Sequence, residues 1–567
     1  MKLLKATYKL LFVLLVVSFA SCNDYLTELN ENPNGVNPED VNPNLMLPKI
    51  ISQTGTEYLK ESFNSSTAGV MQYVQLSGWG NSLNKYTWNG TEAWDKQYGI
   101  LRNAKHLYNR AGDEDMEFHQ AVATVIRVFN FGYITDSWGD APYSAAVNSQ
   151  EGGQEDLFPA FDSQEEIYRG IIEELKTANT LLSKTTGEYV GMDGNADFIY
   201  GGDPEKWRKM ANSLMLRYYM RVSEKLPDYA KEGIEEIISN PNQYPIFTSS
   251  DDDATMSFIG SSTDDSWPSN TTYDVSQDEY TRIQLCAGFR DVLVDYNDPR
   301  IAVWFNEVKV PIKLSDKYDE ADVIVDGIRY VHVDSLEALN YVVYNRDTWV
   351  DDINAEKTLI DTMNYAGMPI ASSTGDGSGW NLNPDKVQGG PNVHNSALDD
   401  KYKAASGDML RARLISYSEV CFILAEAAQK GWNVGSQQTW YEEGIRASFE
   451  VWGVSADYDT YIVGEGVAYD GTQEQIMTQK WIANWTAAHE SWCDWKRTGY
   501  PVLTVGPKGL RDAMPLRKKY PADEIARNNA NYAVAREGLV ETSFTATDGK
   551  DSAWSKFWLL QGTNKPY

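Results

Sequence analysis

The segment DFIYGGDPEKWRKMANSLMLRYYMRVSEK, from Asp197 to Lys225, contains a helix with a well-marked beginning. Asp203 belongs to the residue types that cap helix N-termini. Pro204 follows it, at a position where proline is tolerated because the first backbone N–H groups of a helix have no partner within the helix. The pattern predicts a helix over residues 204–224 that packs against other helices, with Trp207 among its packing residues.

Two more amphipathic helices are predicted upstream, where the pattern is helical from about residue 49. In residues 119–137, apolar residues recur at helical spacing, and the sequence WGDAPY then ends the helix at Gly139. In residues 163–182, one apolar face recurs in the same way, with Ser163 as N-cap and Glu166 as its capping-box partner. Both helices have one face to bury against neighbours.

The C-terminal half contains a predicted helical pair. Residues 413–429 predict an apolar helix that ends at Gly431, and residues 438–452 predict a second helix. Gly444 and Ala447 are small enough to let the second helix approach its neighbour closely. Such units resemble tetratricopeptide repeats, which stack because neither helix buries its apolar face alone. The predicted fold class is therefore mostly α, built on tetratricopeptide-like helical repeats.

Residues 241–400 have a different composition, rich in Ser, Asn, Asp, Gly and Thr. Short β-branched runs occur there, such as VIVDGIRYVHV at residues 323–333, and so does the Gly-rich stretch SSTGDGSGWNLNPDKVQGG at residues 372–390. This composition predicts a loop-rich insertion with a few short strands. Long loops within a compact domain are usually functional or disordered.

The N-terminus predicts export and lipidation. Three lysines precede an apolar run over residues 10–17, which is too short to span a bilayer and suits the core of a signal peptide. The following Phe19-Ala20-Ser21-Cys22 resembles a bacterial lipobox, so residues 1–21 are predicted to be a lipoprotein signal peptide and Cys22 the lipidation site. The alternative is an ordinary secreted protein with an incidental cysteine. Residues 22–48, rich in Asn and Pro, predict a tether and N-terminal arm.

Composition excludes several classes of protein. The chain has 567 residues with 50 Lys and Arg against 81 Asp and Glu, and its net charge is −31. Nucleic-acid binding needs clustered cations that this chain lacks, so partners are expected to be neutral or cationic. An aromatic content of 12% excludes a disordered chain. The four cysteines show no CxxC spacing, which argues against a disulfide framework or a cysteine zinc site.

Several collinear segments, including Asp197 to Lys225, resemble the SusD/RagB family of nutrient-binding outer-membrane lipoproteins of Bacteroidetes, in particular its SusD-like subgroup. The others are NENPNGVNPEDVNPNLMLP (residues 30–48), TDSWGDAPYSAA (135–146), SYSEVCFILAEAAQKGW (416–432), YEEGIRASFEVWGV (441–454), MTQKWIANWTAAHESWCDWKRTGYPVL (477–503) and MPLRKKYPADEIARNNANYAVA (514–535). The resemblance covers nearly the whole mature chain.

This resemblance implies a single SusD-like domain over residues 49–567, in which the insertion at about 241–400 faces the ligand. It also implies a lipid anchor in the outer membrane and exposure at the surface of a Gram-negative cell. The implied partner is a SusC-like, TonB-dependent β-barrel transporter, for which the protein acts as a lid. The implied function is to capture a nutrient and deliver it to that transporter.

The search for catalytic motifs favours binding over catalysis. The five histidines show no HExxH or other metal spacing, and no GxSxG elbow or Walker loop is present. A glycosidase is not excluded in this way, because it needs only two carboxylates that the fold brings together. We expect no enzyme activity and no cofactor. Asp251, Asp252 and Asp253 could supply oxygens to a structural calcium ion or form a solvated acidic turn, and metal content stays open.

Aromatic residues fall into two groups. Trp481, Trp485, Trp492 and Trp495 recur at helical spacing and are predicted to lie in the core, as are Trp452 and the helical Trp94. The others interrupt polar, Gly-rich loops and are predicted to bind ligand, because sugars present flat C–H faces that suit aromatic rings. These are Trp79, Tyr86, Trp88, Trp267, Tyr273, Tyr280 and Trp380.

The favoured ligand is an oligosaccharide, with peptide as the runner-up, because peptides suit the same kind of surface. A surface glycoside hydrolase is the alternative from another class. A third alternative is a structural lid that binds no nutrient itself.

Overall fold

The computed structural model describes residues 41–64, 66–148, 153, 157–373, 375 and 377–567. The predicted signal peptide, the predicted lipidation site Cys22 and most of the predicted tether lie outside these residues. Among the helices that are described, none combines the length and the apolar character needed to cross a membrane.

The N-terminal half is helical, and its helices from α4 to α8 pack on one another in chain order. The helices of this half are α1 (Pro43–Phe63), α2 (Ser66–Val70), α3 (Asn81–Lys85), α4 (Asp95–Asp113), α5 (Glu117–Trp138), α6 (Gln164–Leu181), α7 (Pro204–Arg221) and α8 (Pro227–Ser239). Gly139 follows α5 at φ 98°, and Ser163 and Glu166 form the predicted capping box of α6. The predicted helices are confirmed here.

Helix α1 begins earlier than predicted. Pro43 occupies its first turn and Asn42 caps it, so residues 43–48 belong to the helix rather than to an extended arm. Pro48 lies inside α1, which removes one backbone hydrogen bond. The side chains of Leu47 and Ile50 on either side are buried, and this apolar burial offsets the lost bond.

Helix α7 begins as its sequence predicts, and a buried carboxylate organises the turn before it. The Asp203 side chain accepts hydrogen bonds from the first backbone N–H groups of α7. Asp197 accepts from the backbone N–H of Ile199 (3.0 Å), from the backbone N–H of Gly202 (2.9 Å) and from Trp207 Nε1 (2.7 Å). The turn and the first Trp of the helix therefore form one hydrogen-bonded unit.

The C-terminal half contains a second helical block. Its helices are α13 (Tyr417–Gln429), α14 (Gln437–Val451), α15 (Tyr458–Tyr461), α16 (Gln473–Ala483), α17 (Ala488–Thr498), α18 (Ala522–Arg527) and α19 (Asn529–Glu537). The predicted close approach of α14 to α13 is confirmed, because a Cβ at Gly444 would lie 2.9 Å from the Phe422 ring. The prediction that α13 begins at residue 413 is wrong: β-strand pairing includes residues up to Ile415, and Ser416 caps the helix.

The tryptophans that recur at helical spacing, which we call the Trp stripe, are buried; Trp481 lies on α16, Trp492 and Trp495 lie on α17, and Trp485 lies between the two helices. The side chains of Trp481, Trp485 and Trp492 have no more than about one-hundredth of their surface exposed. The chain leaves the helical conformation between α16 and α17, where Thr486 has φ 74°. Trp485 lies in this break and donates from Nε1 to the Tyr402 hydroxyl (2.9 Å).

The region between the two helical blocks consists of loops, short helices and short strands, as predicted. The helices are α9 (Asp278–Thr281), α10 (Ala287–Asp295), α11 (Ile301–Trp304) and α12 (Trp349–Asn354). The strands of this region are β2 (Ala254–Ser257), β3 (Ile283–Leu285), β4 (Ile312–Ser315), β5 (Asp322–Val325), β6 (Ile328–His332), β7 (Tyr341–Val343), β8 (Thr358–Ile360) and β9 (Arg411–Ile415), and β1 (Val74–Leu76) lies in the N-terminal half between α2 and α3. Short 3₁₀ turns connect them, including Trp380–Leu382 and Asp400–Lys403.

These strands form small separate sheets. β1 pairs antiparallel with β3, β2 pairs antiparallel with β9, β7 pairs parallel with β8, and β4, β6 and β5 form a three-stranded sheet in that order. β5 and β6 form a hairpin whose turn residues, Asp326 and Gly327, both have positive φ, as a two-residue type I′ turn requires. The described fold is thus mostly α-helical with short strands, as the sequence predicts.

Candidate functional site

Three loops from distant parts of the sequence meet around Gly389. The backbone N–H of Gly389 donates to the Ser77 carbonyl (2.7 Å), and the Ser77 hydroxyl donates to the Gly390 carbonyl (2.8 Å). The Thr281 hydroxyl donates to the Gly389 carbonyl. The loops at residues 77–80, 274–281 and 387–390 therefore support one another through one backbone hydrogen bond and two bonds from side-chain hydroxyls to backbone carbonyls, and we call this area the Trp79 surface.

Trp79 is the largest exposed side chain on this surface. It is 56% exposed, and its positive φ of 46° differs from the φ values of regular strands and helices. Its ring packs against Gly389, because a Cβ built on that glycine would lie 2.8 Å from Trp79 Cζ3. Any larger residue at position 389 would displace the ring. The exposed ring thus rests on a backbone segment that is itself hydrogen-bonded.

Carboxylates accompany the exposed ring. A Cβ built on Gly389 would also lie 3.3 Å from Asp278 Oδ1, so this carboxylate and the Trp79 ring both approach Gly389. In the same loop, partial burial disfavours ionisation of Asp274, but hydrogen bonds from Ser276 and from backbone N–H groups outweigh it and lower the pKa of Asp274. An aromatic face beside the Asp278 side chain can contact both the C–H faces and the hydroxyl groups of a sugar.

Two exposed valines extend the apolar part of this surface. Val275 and Val387 lie on two of the three loops and are among the most exposed large apolar side chains of the described chain. Neither residue was selected from the sequence. For Val387, the sequence indicated a binding role only through the Gly-rich composition of its segment. For Val275, the sequence gave no indication of a binding role.

Four of the predicted ligand-binding aromatics are buried, and the expectation that their loops expose them is wrong. These are Tyr86, Trp88, Trp267 and Tyr280. Trp267 is 0% exposed, packs against Phe63 and Tyr402, and donates from Nε1 to the Ser269 hydroxyl (3.0 Å). Tyr86, Trp88 and Trp267 lie on irregular backbone and Tyr280 on the short helix α9, and each buried ring removes apolar surface from water. An aperiodic sequence therefore did not mean an exposed side chain.

Tyr273 and Trp380 are partly exposed, and their polar atoms have partners within the protein. The Tyr273 hydroxyl donates to the Gly260 carbonyl (3.1 Å), and Trp380 Nε1 donates to Asn395 Oδ1 (3.1 Å). Gly377, three residues before Trp380, lies against the Leu76 carbonyl, so the Trp380 loop adjoins the loop of Trp79. Ligand binding by Tyr273, Trp380 and Trp79 stays a prediction.

A separate cavity of about 690 Å³ lies between α4 and the segment that precedes α18. Its walls include Trp94, Tyr98, Pro142, Pro159 and Pro521. Trp94 itself is buried against Trp138 and Tyr520, in agreement with its predicted structural role. The Tyr98 hydroxyl donates to the Pro142 carbonyl (2.7 Å), which fixes that wall of the cavity.

One group of three side chains in the described part of the chain has metal-ligand spacing, namely Asp136, His489 and Cys493. All three are buried, and His489 Nε2 lies 3.6 Å from Asp136 Oδ2 and 3.7 Å from Cys493 Sγ. Arg221 pairs with Asp136 at 3.2 Å, and Lys496 donates to the Asp136 carbonyl. A divalent cation would lie beside both of these cations, so the arrangement fits an internal polar cluster better than a metal site.

The acidic run at residues 251–253 does not converge on a common point. Asp252 pairs with Lys209 Nζ (3.0 Å), and Asp253 Oδ1 accepts from the backbone N–H of Tyr417 (2.7 Å). Asp251 is exposed, and its carbonyl accepts from Lys206 Nζ (2.7 Å). The carboxylates of Asp252 and Asp253 thus serve separate structural contacts, and the predicted calcium alternative receives no support from them.

Comparison with solved structures shows the fold. A structure from Bacteroides vulgatus, described as a candidate outer membrane protein for nutrient binding, superposes with a TM-score of 0.67 at 21% identity, covering 92% of this chain and 100% of that one. A SusD homolog from Bacteroides uniformis has a TM-score of 0.66 at 22% identity, covering 91% and 99%. A chitin-binding protein has a TM-score of 0.64 at 22% identity, with the same coverage. No curated protein matches the chain.

Comparison with family models identifies the family. The model of SusD-like proteins, described as starch-binding and associating with the outer membrane, matches residues 36–329 and 371–521. These ranges include the N-terminal helical block with α7, and the C-terminal block from α13 to α17. They also include the three loops of the Trp79 surface. The chain therefore belongs to the SusD-like family of starch-binding proteins that associate with the outer membrane.

Proposed function

We propose that this protein captures a nutrient oligosaccharide at the cell surface and delivers it to a SusC-like, TonB-dependent transporter, for which it acts as a lid. In this proposal a lipid on Cys22 holds it to the outer membrane of a Gram-negative cell. The observation that carries the proposal is the exposure of Trp79. Its side chain is 56% exposed, its ring packs against Gly389 in a hydrogen-bonded loop, and the Asp278 carboxylate lies beside it.

The chemistry of the Trp79 surface favours a sugar ligand. An exposed Trp ring presents a flat apolar face that matches the C–H face of a pyranose, and nearby carboxylates accept hydrogen bonds from its hydroxyl groups. The family description of starch binding supports a glycan, as does the likeness to a chitin-binding protein. Because the ring rests on Gly389, the platform is ordered before a ligand arrives, and pre-organisation lowers the entropy lost on binding.

Peptide is the second candidate ligand. The exposed Val275 and Val387 favour it, because branched apolar side chains contact peptide side chains but offer little to a sugar. Catalysis is not part of the proposal: the family description is one of binding, and we propose that the protein leaves its ligand intact.

The test is calorimetric titration with starch oligosaccharides, chitin oligosaccharides and peptides, using the wild type, Trp79→Ala and Tyr108→Ala. Tyr108 is an exposed aromatic on α4, away from the Trp79 surface, and serves as the matched control. Stacking on a Trp is worth about 1 to 3 kcal/mol by analogy with base stacking. We therefore expect Trp79→Ala to weaken oligosaccharide binding about tenfold or more, and Tyr108→Ala to leave it unchanged.

Three results would contradict the proposal in distinguishable ways. Oligosaccharide binding that Trp79→Ala leaves intact would exclude the Trp79 surface. Silence against the whole panel would favour a purely structural lid. New reducing ends that accumulate at enzymatic rates during incubation would indicate a glycoside hydrolase.

A further inference from the structure

The β9 strand begins with two arginines in the sequence Arg411-Ala412-Arg413. Residues two apart on a strand share one face, and β9 pairs with β2 so that Thr255 lies opposite Arg413. Both arginines and Thr255 line a cavity of about 470 Å³. Its other walls come from the turn before α7 and from the acidic run, including Tyr200, Lys206 and Asp253. We call it the Arg413 cavity.

Arg413 lacks the partner that the protein's other buried arginines have. Among the described residues six further arginines are buried, and each of them forms an ion pair with a carboxylate; they are Arg217, Arg221, Arg290, Arg300, Arg497 and Arg517. Arg413 is 8% exposed and forms no ion pair with any residue that the structure describes. Its guanidinium lies over the Trp452 ring at 4.3 Å.

The hydrogen bonds of Arg413 are also incomplete. Nη1 donates to the Arg411 carbonyl and Nη2 to the Met409 carbonyl, both at 3.2 Å, and Nε–H has no acceptor among the described residues. Burial disfavours the charged form and lowers the pKa of Arg413 to about 10, although the Tyr402 hydroxyl and the Asp253 carboxylate oppose this shift. A buried cation with an unused donor is unfavourable unless something else supplies an acceptor.

We infer that the Arg413 cavity binds a carboxylate group of the captured ligand, with Arg413 as its principal donor. The guanidinium presents donors in a planar fork that matches the two oxygens of a carboxylate. Arg411 and Lys206 add positive charge at the wall, and Thr255 adds a hydroxyl. A volume of about 470 Å³ lies in the range of small-ligand sites.

The acidic residues of the cavity favour a singly charged ligand group. Asp251 and Asp408 also line it, and a phosphate with two charges would meet stronger repulsion from them than a carboxylate with one. A carboxylate can belong to a hexuronic acid unit of a glycan or to the C-terminus of a peptide. The inference rests on the proposed nutrient-capture function and assigns an acidic group to the nutrient, contrary to the expectation from the net charge that partners are neutral or cationic.

The wild-type protein gives the first test, by calorimetric titration with two matched pairs of probes. The pairs are D-galacturonate with D-galactose, and N-acetylglycine with N-acetylglycinamide. We expect at least one acid to bind at least tenfold more tightly than its neutral partner. If galacturonate is the acid that binds, the carboxylate comes from a glycan; if N-acetylglycine binds, it comes from a peptide. Equal affinities within both pairs, or no binding of either acid, would overturn the inference.

The second test uses Arg413→Gln, with Arg446→Gln as the control. Arg446 is an exposed arginine on α14 that stacks on Tyr458 outside the cavity. We expect Arg413→Gln to weaken binding of the acid at least tenfold and Arg446→Gln to leave it unchanged. Arg411→Gln, at the exposed part of the cavity, is a second variant in case Arg413→Gln does not fold, and it should weaken binding in the same direction.

Wild-type affinity in Arg413→Gln, or in Arg411→Gln if the first variant does not fold, would overturn the assignment. Trp79→Ala separates this inference from the proposed function. Because Trp79 does not line the Arg413 cavity, that variant should bind the small acids normally while losing oligosaccharide binding. Loss of small-acid binding in Trp79→Ala would contradict the assignment to the cavity.

Discussion

Arg217 on α7 and Glu419 on α13 form a bidentate ion pair in the interior of the protein. Arg217 Nε donates to Glu419 Oε1 at 2.8 Å and Nη2 donates to Oε2 at 2.7 Å, and each side chain is 3% exposed. Arg217 Nη1 also lies 3.3 Å from Glu490 on α17. Helix α7 is therefore joined by ion pairs to α13 and α17, two helices of the C-terminal block.

Arg217→Met should destabilise the protein strongly. The substitution leaves Glu419 buried without its cation, and breaking a buried pair in this way typically costs about 3 to 5 kcal/mol. Equilibrium denaturation in urea measures the loss. Arg446→Met removes an exposed arginine that pairs with Glu443, and it should change the free energy of unfolding by less than about 1 kcal/mol. Equal effects of the two variants would show that the internal pair does not stabilise the fold.

The beginning of α7 was predictable from the sequence, and its ion pairs were not. Asp203, Pro204 and the apolar period are local signals, because a cap and a helix face depend on neighbouring residues. Arg217 and Glu419 are far apart in the sequence, and nothing local shows that they meet. The start of α13 was misplaced for a related reason: residues 413–415 were assigned to the helix that follows them, but pairing with β2 makes them part of a strand.

Two glycines on neighbouring helices should respond in opposite ways to alanine. A Cβ at Gly132 on α5 would lie 2.1 Å from the hydroxyl oxygen of Tyr218 on α7, whereas a Cβ at Gly99 on α4 would meet nothing within 4 Å. Gly132→Ala should therefore destabilise the protein by about 1 to 3 kcal/mol. Gly99→Ala should stabilise it by up to about 1 kcal/mol, because alanine favours helix.

Thermal unfolding of both glycine variants beside the wild type checks this prediction. The helix propensity gained is the same in the two variants, so the difference between them isolates the contact of α5 with Tyr218. If Gly132→Ala unfolds at or above the wild-type temperature, α5 and α7 do not approach each other as closely as described.

Trp267→Ala should affect stability rather than ligand binding. Its ring is fully buried against Phe63 and Tyr402, and removing a buried Trp side chain costs about 3 to 5 kcal/mol. Trp79→Ala is the matched substitution on an exposed loop and should leave the melting temperature nearly unchanged. The comparison needs thermal unfolding and ligand titration on both variants. Weaker binding with unchanged stability in Trp267→Ala would restore the original prediction for this residue.

The candidate site was less predictable than the fold. The sequence distinguishes helical from aperiodic aromatics, which correctly places Trp481 and Trp485 in the core. It does not distinguish Trp79 from Trp267, because both interrupt polar loops and only the packing of those loops decides which ring is covered. The Arg413 cavity had a faint signal in the alternation of Arg411 and Arg413, but a strand is recognisable there only after its pairing with β2 is known.

Cys22→Ser should release the protein from the outer membrane. The substitution blocks acylation at the predicted lipidation site, and attached acyl chains contribute roughly 0.8 kcal/mol per buried CH₂ to membrane binding. The released protein should remain folded and able to bind ligand. Fractionation of cells that lack the transporter measures the release. Variant protein that still sediments with the outer membrane would contradict the lipoprotein prediction.

Asp253→Asn should change how stability depends on pH. Burial raises the pKa of Asp253 to about 7, against the opposing hydrogen bond from the Tyr417 backbone and the charge of Arg413, and the neighbouring Asp252 and Asp251 raise it further. Because this pKa lies above that of an unfolded Asp, the folded protein holds a proton that the unfolded chain has released. Asp253 therefore lowers stability progressively as pH rises from about 4 to about 7, and the full loss is present above that range.

Asparagine keeps an oxygen for the Tyr417 backbone N–H and does not ionise. The melting temperature of Asp253→Asn should therefore rise relative to the wild type between pH 5 and pH 8, with most of the change below about pH 7. Asp408→Asn is the control, because that carboxylate also lines the Arg413 cavity but is fully exposed. Its difference from the wild type should stay constant over the same range. If Asp253→Asn shows no more pH dependence than Asp408→Asn, Asp253 is already ionised in the folded protein at pH 5, and its environment is more polar than the described contacts indicate.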